Sequence, residues 1–361
     1  MDELERLMNA EQFSVPQAEK SAAMLTALNR LTVHHREHGV PYRRMLDAVA
    51  AGDAAATLAD VPFLPVSLFK HLELSSIEQD AVFKVLQSSG TTGQVPSRIV
   101  LDVDTARLQT RALSTIVTHY VGPKRLPMLI VDHPGVVKDR RNLTARGAGI
   151  LGMTSYGRDH HYVLTDDLKV DVDGLRRWLA DHEGQDLLIF GFTFMVWQYL
   201  HGRLRDAGVD LSRAVLVHSG GWKKLIEQSV TNEVFKAELA SEFGLARVHN
   251  FYGMVEQVGS VFFECPAGFL HPPNFAEVLV RDPRTWDLAP TGEPGVIEVL
   301  SLLPRSYPGH ALLTEDTGVV HGVDDCPCGR MGTRFSVSGR IPKAEIRGCS
   351  DVIAAGAAGR G

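Results

Sequence analysis

Residues 88 to 97 read Ser88-Ser-Gly-Thr-Thr-Gly-Gln-Val-Pro-Ser97, and Arg98-Ile-Val-Leu101 follows at once. Hydroxyl residues surround Gly90 and Gly93. Glycine lets backbone N–H groups turn toward a ligand, and hydroxyls add donors, so the string can form a nest for a polyphosphate. It is not a Walker A loop, because no Lys-Ser or Lys-Thr follows Gly93. The plainer reading is a flexible surface turn. For a Ser/Gly loop taken by itself, that plainer reading is the favoured one.

Working outward, short apolar runs alternate with amphipathic stretches from about 80 to 320. Strands are expected at 127–132, 187–192, 214–218, 248–252, 277–281 and 296–300. Helices are expected at 104–121, 171–182, 195–207 and 229–243. This alternation predicts an α/β fold with buried parallel strands. The last two strands have only a Pro/Gly turn (289–295) between them, which predicts an antiparallel β portion. Residues 1–60 have helical spacing, and two prolines force 61–66 to be extended. His34, His35 and His38 fit a solvated helix face better than a metal site. The Ala/Gly tail, 354–361, carries no pattern.

The 361 residues carry 37 Lys plus Arg against 43 Asp plus Glu, and 44% are hydrophobic. That balance excludes a disordered chain. A net charge of −6 argues against a nucleic-acid partner held by bulk charge. The most apolar stretch, 187–197, is shorter than the ~20 residues a membrane span needs. The acidic N-terminus is no secretory signal. Four cysteines are too few for a disulfide framework, so a cytoplasmic protein is expected. Cys265, His271, Cys326 and Cys328 form a Cys₃His set suited to structural zinc; the alternative is unrelated core cysteines.

Four strings in order, Ser88–Gly93, Tyr252-Gly-Met-Val-Glu256, Leu313-Thr-Glu-Asp-Thr-Gly318 and Ser338-Gly-Arg340, resemble the adenylate-forming superfamily. Phe63-Leu-Pro-Val-Ser-Leu-Phe-Lys70, His218-Ser-Gly-Gly-Trp-Lys-Lys224 and Glu345-Ile-Arg-Gly-Cys-Ser-Asp351 are similar to its acyl-protein synthetase branch. Phenylacetate–CoA ligases look more distant, though some carry a comparable Cys-x-Cys-Gly-Arg string. The resemblance implies the superfamily's large N-terminal domain, with β-sheets flanked by helices and a small β portion. Three parts are expected: helical 1–60, a core at 61–340 and a tail at 341–361. Relatives continue into a mobile lid with a catalytic lysine, whereas this sequence stops at Gly361, so a fold without the lid is expected.

The resemblance also implies the chemistry, in which ATP converts a carboxylic acid to an acyl-adenylate and a thiol then takes the acyl group. Ser88, Ser89, Gly90, Thr91, Thr92 and Gly93 would cradle phosphates. Tyr252 and Gly253 would lie against adenine, with Ser219, Gly220 and Gly221 as the opposite wall. Asp316 would bind the ribose hydroxyls, Arg340 would support ribose or phosphate, and Glu256 would hold Mg²⁺. Cys349 would accept the acyl group, with Arg347 and Lys343 favouring its thiolate. Val255 departs from the family by lacking a hydroxyl. Phe192 and Phe194 are candidates for the acid pocket. The expected partners are a carboxylic acid, an acyl-thioester reductase and, in a homodimer, a second copy. The rivals are an acid–CoA ligase and a non-catalytic acid- or nucleotide-binding protein. A serine hydrolase is disfavoured, since no Gly-x-Ser-x-Gly elbow is present.

Overall fold

Leu4, Leu7 and Met8 are the buried face of α1 (Glu3–Asn9), and Ala23, Met24, Ala27 and Leu28 are that of α2 (Gln17–His38). The computed structural model describes residues 2–88, 95–138 and 145–341. α3 (Val40–Ala48) follows, with Tyr42 and Leu46 buried. Lys20 of α2 reaches Glu277 at 3.1 Å, an ion pair almost wholly buried between this helical stretch and the sheet.

His35 corrects the expectation of a solvated face. It is fully buried: Nδ1 lies 2.8 Å from Ser76 Oγ, Nε2 lies 3.2 Å from the Pro304 carbonyl, and the ring stacks on His310. Burial pushes its pKa well down, so it is a neutral core residue. His38 is exposed and His34 partly so. His34 and His38 share one face, with ring centroids 4.6 Å apart, and only the packing of 76 and 304–310 shows that His35 points inward.

β1 (Leu64–Pro65) is extended as its prolines require, and α4 (Leu68–His71) is a single turn. β2 (Lys84–Gln87) and β3 (Arg98–Leu101) form an antiparallel hairpin whose connection carries the Ser/Gly string. Asp102 then caps α5 (Val103–Val121) by accepting from Thr105 N at 2.7 Å.

The α/β alternation follows as β4 (Leu126–Ile130), α6 (Ala145–Thr154), β5 (Gly157–Tyr162), α7 (Val172–Asp181) and β6 (Leu187–Phe192). After β6, α8 (Thr193–Met195), a π-helical turn (Val196–His201) and α9 (Gly202–Leu204) are continuous. β7 (Ala214–Ser219), α10 (Asn232–Phe243) and β8 (Arg247–Tyr252) complete the parallel part. Six further strands follow: β9 (Phe262–Glu264), β10 (Leu270–His271), β11 (Ala276–Arg281), β12 (Pro294–Ser301), β13 (Ala311–Val323) and β14 (Thr333–Arg340).

Among the described residues, one large sheet runs β11-β12-β13-β14-β10-β9-β8-β7-β6-β4-β5, with β1 pairing parallel to β13. β4 to β8 are mutually parallel, and β8 to β14 pair antiparallel, as the turn at 289–295 predicts. Period-2 alternation in β6 and β7 builds a core on each face. Leu188, Phe190, Val215 and Val217 pack with α5 and α6, through Ile116 and Ile150. Leu187, Ile189 and Leu216 pack with α7, the π-helical turn and α10, through Leu175, Leu200 and Leu239.

Candidate active site

Ligands of parallel α/β sheets sit beyond the carboxyl ends of the strands. Here those ends present Asp132 after β4, Phe192 on β6, Ser219 and Gly220 at β7, and Tyr252 and Gly253 at β8. Register sets Phe192 beside Ser219 and Ser219 beside Phe251. Gly220 has φ +82, and a Cβ there would come 3.1 Å from the Phe192 ring. A Cβ on Gly149 of α6 would come 3.2 Å from the same ring. Phe192 thus lies between two glycines where an added Cβ would press on its ring. A Cβ on Gly221 would meet nothing within 4 Å. Phe192 packs against both cores, and Phe194 packs against the core that contains Met195 and Leu200.

Tyr252 donates its hydroxyl to Asp316 Oδ2 at 2.7 Å. Register places Asp316 of β13 opposite Arg340 of β14, whose Nε lies 3.7 Å from Oδ1. Burial, reinforced by the Asp316 charge, pushes the Tyr252 pKa well up, so the phenol keeps its proton and acts as a donor. Residues 64 positions apart in sequence thereby form one polar wall.

Glu256 sits in a 3₁₀ turn (Val255–Gln257) just beyond β8 and is 7% exposed. The turn is clamped from both sides. Tyr307 Oη donates to the Glu256 carbonyl at 2.8 Å, and Gln257 Nε2 donates to Val299 O and Gly309 O at 3.0 and 2.8 Å. Burial pushes the Glu256 pKa up; the Ser97 hydroxyl and the Lys70 charge oppose it, and Glu315 adds to it. Ser97 Oγ is itself buried and lies close to that carboxyl, short of full hydrogen-bond geometry.

That proximity matters for the hairpin. Ser97 N donates to Ser88 Oγ at 2.8 Å, and Ser88 N donates to Ser97 O at 3.1 Å. The root of the Ser/Gly string therefore closes next to Glu256. Ser89, Gly90, Thr91, Thr92 and Gly93 lie outside the described residues, as do Lys343, Arg347 and Cys349. Sequence reasoning missed Gln257 and Tyr307, which carry no motif, and took Ser97 only as the end of the Ser/Gly string, with no role of its own. It quoted Lys70 without giving it a role. Surface cavities of about 430 Å³ beside α3 and about 290 Å³ beside α7 touch none of these residues.

A second cluster lies at the far end of β14. Ligand atoms of Cys265, His271, Cys326 and Cys328 all fall within 4.8 Å of one another. The Cys265–Cys326 and Cys328–His271 separations are 3.8 and 3.7 Å, and the Cys326–Cys328 separation is 3.2 Å. Zn–S bonds of about 2.3 Å at tetrahedral angles set sulfurs about 3.8 Å apart, so the donor set fits zinc. Burial holds the His271 pKa at about 4, which gives the neutral imidazole that a metal needs. Arg330 lies over the rings of Phe13 and Tyr120, and Phe13 meets His271 edge-on. The cluster therefore sits where the N-terminal helices meet the antiparallel sheet.

The family model for acyl-protein synthetase, LuxE, matches residues 2–357. The long-chain-fatty-acid–luciferin-component ligase of Vibrio harveyi is 24% identical over 331 residues, 88% of this chain and 83% of the relative. That of Aliivibrio fischeri is 23% identical over 328 residues, 88% and 84% of the two chains. The fold is similar to that of 2-hydroxyisobutyryl-CoA ligase in complex with 2-HIB-AMP and CoA. That match has a TM-score of 0.68 and 19% identity, and covers 91% of this chain and 77% of the ligase. Among the described residues, no helix is long and apolar enough to cross a membrane.

Proposed function

Because this chain belongs to the acyl-protein synthetase family, an adenylate-forming group of acid–thiol ligases, we propose that it activates a fatty acid between Tyr252, Glu256 and Asp316 and passes the acyl group to Cys349. A carboxylate oxygen attacks the α-phosphorus of ATP. The bond to pyrophosphate breaks, and its electron pair leaves with pyrophosphate. A thiolate then attacks the acyl carbon of the adenylate, and AMP departs. In-line positioning and a preorganised polar wall supply the acceleration.

What supports the reading most is the convergence of four separated motifs. Tyr252 bonds Asp316, Arg340 flanks Asp316, and Ser97 brings the root of the Ser/Gly string to Glu256. In this reading Asp316 takes the ribose hydroxyls, while Tyr252 and Gly253 meet adenine opposite Ser219, Gly220 and Gly221. Ser88 to Gly93 cradle the phosphates, and Arg340 supports them. Bound Mg²⁺ would neutralise phosphate charge, and in this reading the buried Glu256 carboxyl would hold it. Phe192, held between Gly149 and Gly220, lines the acid pocket.

The names of the two relatives favour a long aliphatic acid, and the resemblance to acyl-protein synthetases implies an acyl-thioester reductase as the partner that consumes the product. Three free thiols among the described residues fit the reducing cytoplasm. The test is acid-dependent exchange of labelled pyrophosphate into ATP, with tetradecanoate, phenylacetate and acetate compared. Exchange is expected with tetradecanoate foremost. No exchange with any acid would leave only a binding protein.

The Cys₃His cluster is read as structural zinc that fastens the N-terminal helices to the sheet. One zinc per chain is expected by plasma mass spectrometry of purified protein. Cys328→Ser should lose that ion and melt several degrees lower, since metal binding contributes to folding. Wild-type protein without bound zinc, and indifferent to chelators, would remove this role.

A further inference from the structure

The fold delivers Lys70, the last residue of the string Phe63–Lys70, to the candidate site. Leu64 and Pro65 pair in register with Leu312 and Leu313, and Val66 N donates to Leu313 O at 2.9 Å. This segment therefore runs beside β13 and brings α4 to Glu315 and Asp316. Phe69, 1% exposed, packs edge-on against Tyr307, the residue that holds the Glu256 carbonyl. A four-residue turn is thus anchored by its buried ring, with the next side chain, Lys70, facing the acidic residues.

Lys70 Nζ lies 3.3 Å from both Glu315 carboxylate oxygens. The lysine side chain is 24% exposed and the glutamate 46%, and so open a pair adds little stability. Its charge nonetheless reaches Glu256. The position suits a cation that changes partners. Glu256, Glu315 and Asp316 make this wall acidic, and an incoming polyphosphate is more acidic still. Arg340 flanks Asp316 at the proposed ribose end; among the described residues, Lys70 brings a second cation to this wall, on the Glu256 side.

We propose that Lys70 is a nucleotide-contacting residue whose ammonium leaves Glu315 for the polyphosphate of ATP. This rests on the adenylation reading above. As the carboxylate oxygen bonds to the α-phosphorus and the bridging P–O bond breaks, the electron pair moves onto pyrophosphate. Lys70 donates hydrogen bonds to those oxygens and keeps its proton, so no further reactant is needed. A lysine serves here as a compact point charge.

Calorimetric titration separates this role from a merely structural one, because AMP lacks the phosphates that Lys70 would touch. Lys70→Met should weaken Mg-ATP binding about tenfold, as loss of a charge-assisted hydrogen bond does, and leave AMP binding within about twofold. Pyrophosphate exchange should fall about thirtyfold, and Lys70→Arg should recover most of it. Glu315→Gln should bind Mg-ATP at least as well as wild type, since it removes only the competing anion. In the wild-type protein, Mg-ATP but not AMP should shield Lys70 from an amine-acylating reagent, read by peptide mass spectrometry. Equal losses for ATP and AMP, equal losses in Lys70→Met and Glu315→Gln, unchanged ATP binding in Lys70→Met, or absence of shielding would each overturn the assignment. Wild-type protein that binds no Mg-ATP would instead sink the adenylation reading itself.

Discussion

Cys349→Ser is expected to eliminate the covalent acyl-enzyme while acid-dependent pyrophosphate exchange continues near the wild-type rate. Exchange reports only the first half-reaction, which needs no thiol. The second needs a thiolate, and a serine hydroxyl at neutral pH supplies almost no alkoxide, so the adduct should fall at least about a hundredfold. Geometry makes Cys349 a reasonable acceptor although it lies outside the described residues. Ile341 N donates to Glu315 O at 2.9 Å, so the tail departs from beside Asp316. The eight residue steps from Ile341 to Cys349 span at most about 28 Å, enough to return to the site. The other three thiols are gathered in the cluster with His271, where Cys265 and Cys326 are buried. Intact mass after incubation with acid and Mg-ATP should show one acyl group in wild type and none in the variant. An adduct that survives the substitution would place the acceptor elsewhere. Loss of exchange together with the adduct would make Cys349 part of the fold or of the first step.

Most of the parallel half of the fold was legible because its signals are local, whereas β5 and α6 were missed, the polar run Gly157-Arg-Asp-His-His-Tyr162 being an edge strand without an apolar signal. Leu187–Phe192 is apolar without alternation, as a strand covered on both faces must be, and the flanking amphipathic runs became α7 and the helix after β6. The π-helical turn Val196–His201 was not legible, since its i→i+5 bonding has no signature in side-chain spacing. β13 and β14 were missed as strands: Asp316, Gly318 and Gly322 break the alternation of β13, and each strand is completed by its partners. The same division runs through the site. Tyr252 and Asp316 could be named from motifs, but their bond depends on a register set far away. Lys70 and Ser97 act near Glu256 through pairing of β1 with β13 and of β2 with β3. His35 shows the reverse case, where local spacing pointed to solvent and long-range packing buried the ring. Phe192 and Phe194 are two apart in sequence, yet one ends a strand and the other lies in the first turn of the helical stretch that follows.

Glu256→Gln should slow adenylation about a hundredfold or more, the scale seen when one preorganised electrostatic contact to a transition state is lost. The substitution removes charge and keeps size. The clamps on the turn use the Glu256 carbonyl and the neighbouring Gln257 side chain, so the variant should hold its shape and its melting temperature. The pH profile is the sharper readout. Burial raises the Glu256 pKa, so in the free enzyme this carboxyl takes up a proton at a higher pH than an exposed glutamate does. The protonated form cannot bind Mg²⁺. Exchange should therefore fall as pH drops through that raised value, and the acid limb should lie above the ordinary carboxylate range. Metal and proton compete for the same oxygens, so raising Mg²⁺ should move the limb to lower pH. Glu256→Gln has no such proton, and its residual rate should lack both the limb and its dependence on Mg²⁺. A variant with full activity would remove Glu256 from the chemistry. A wild-type limb that ignores Mg²⁺ would mean that the buried carboxyl serves the fold of the turn and that another group holds the metal.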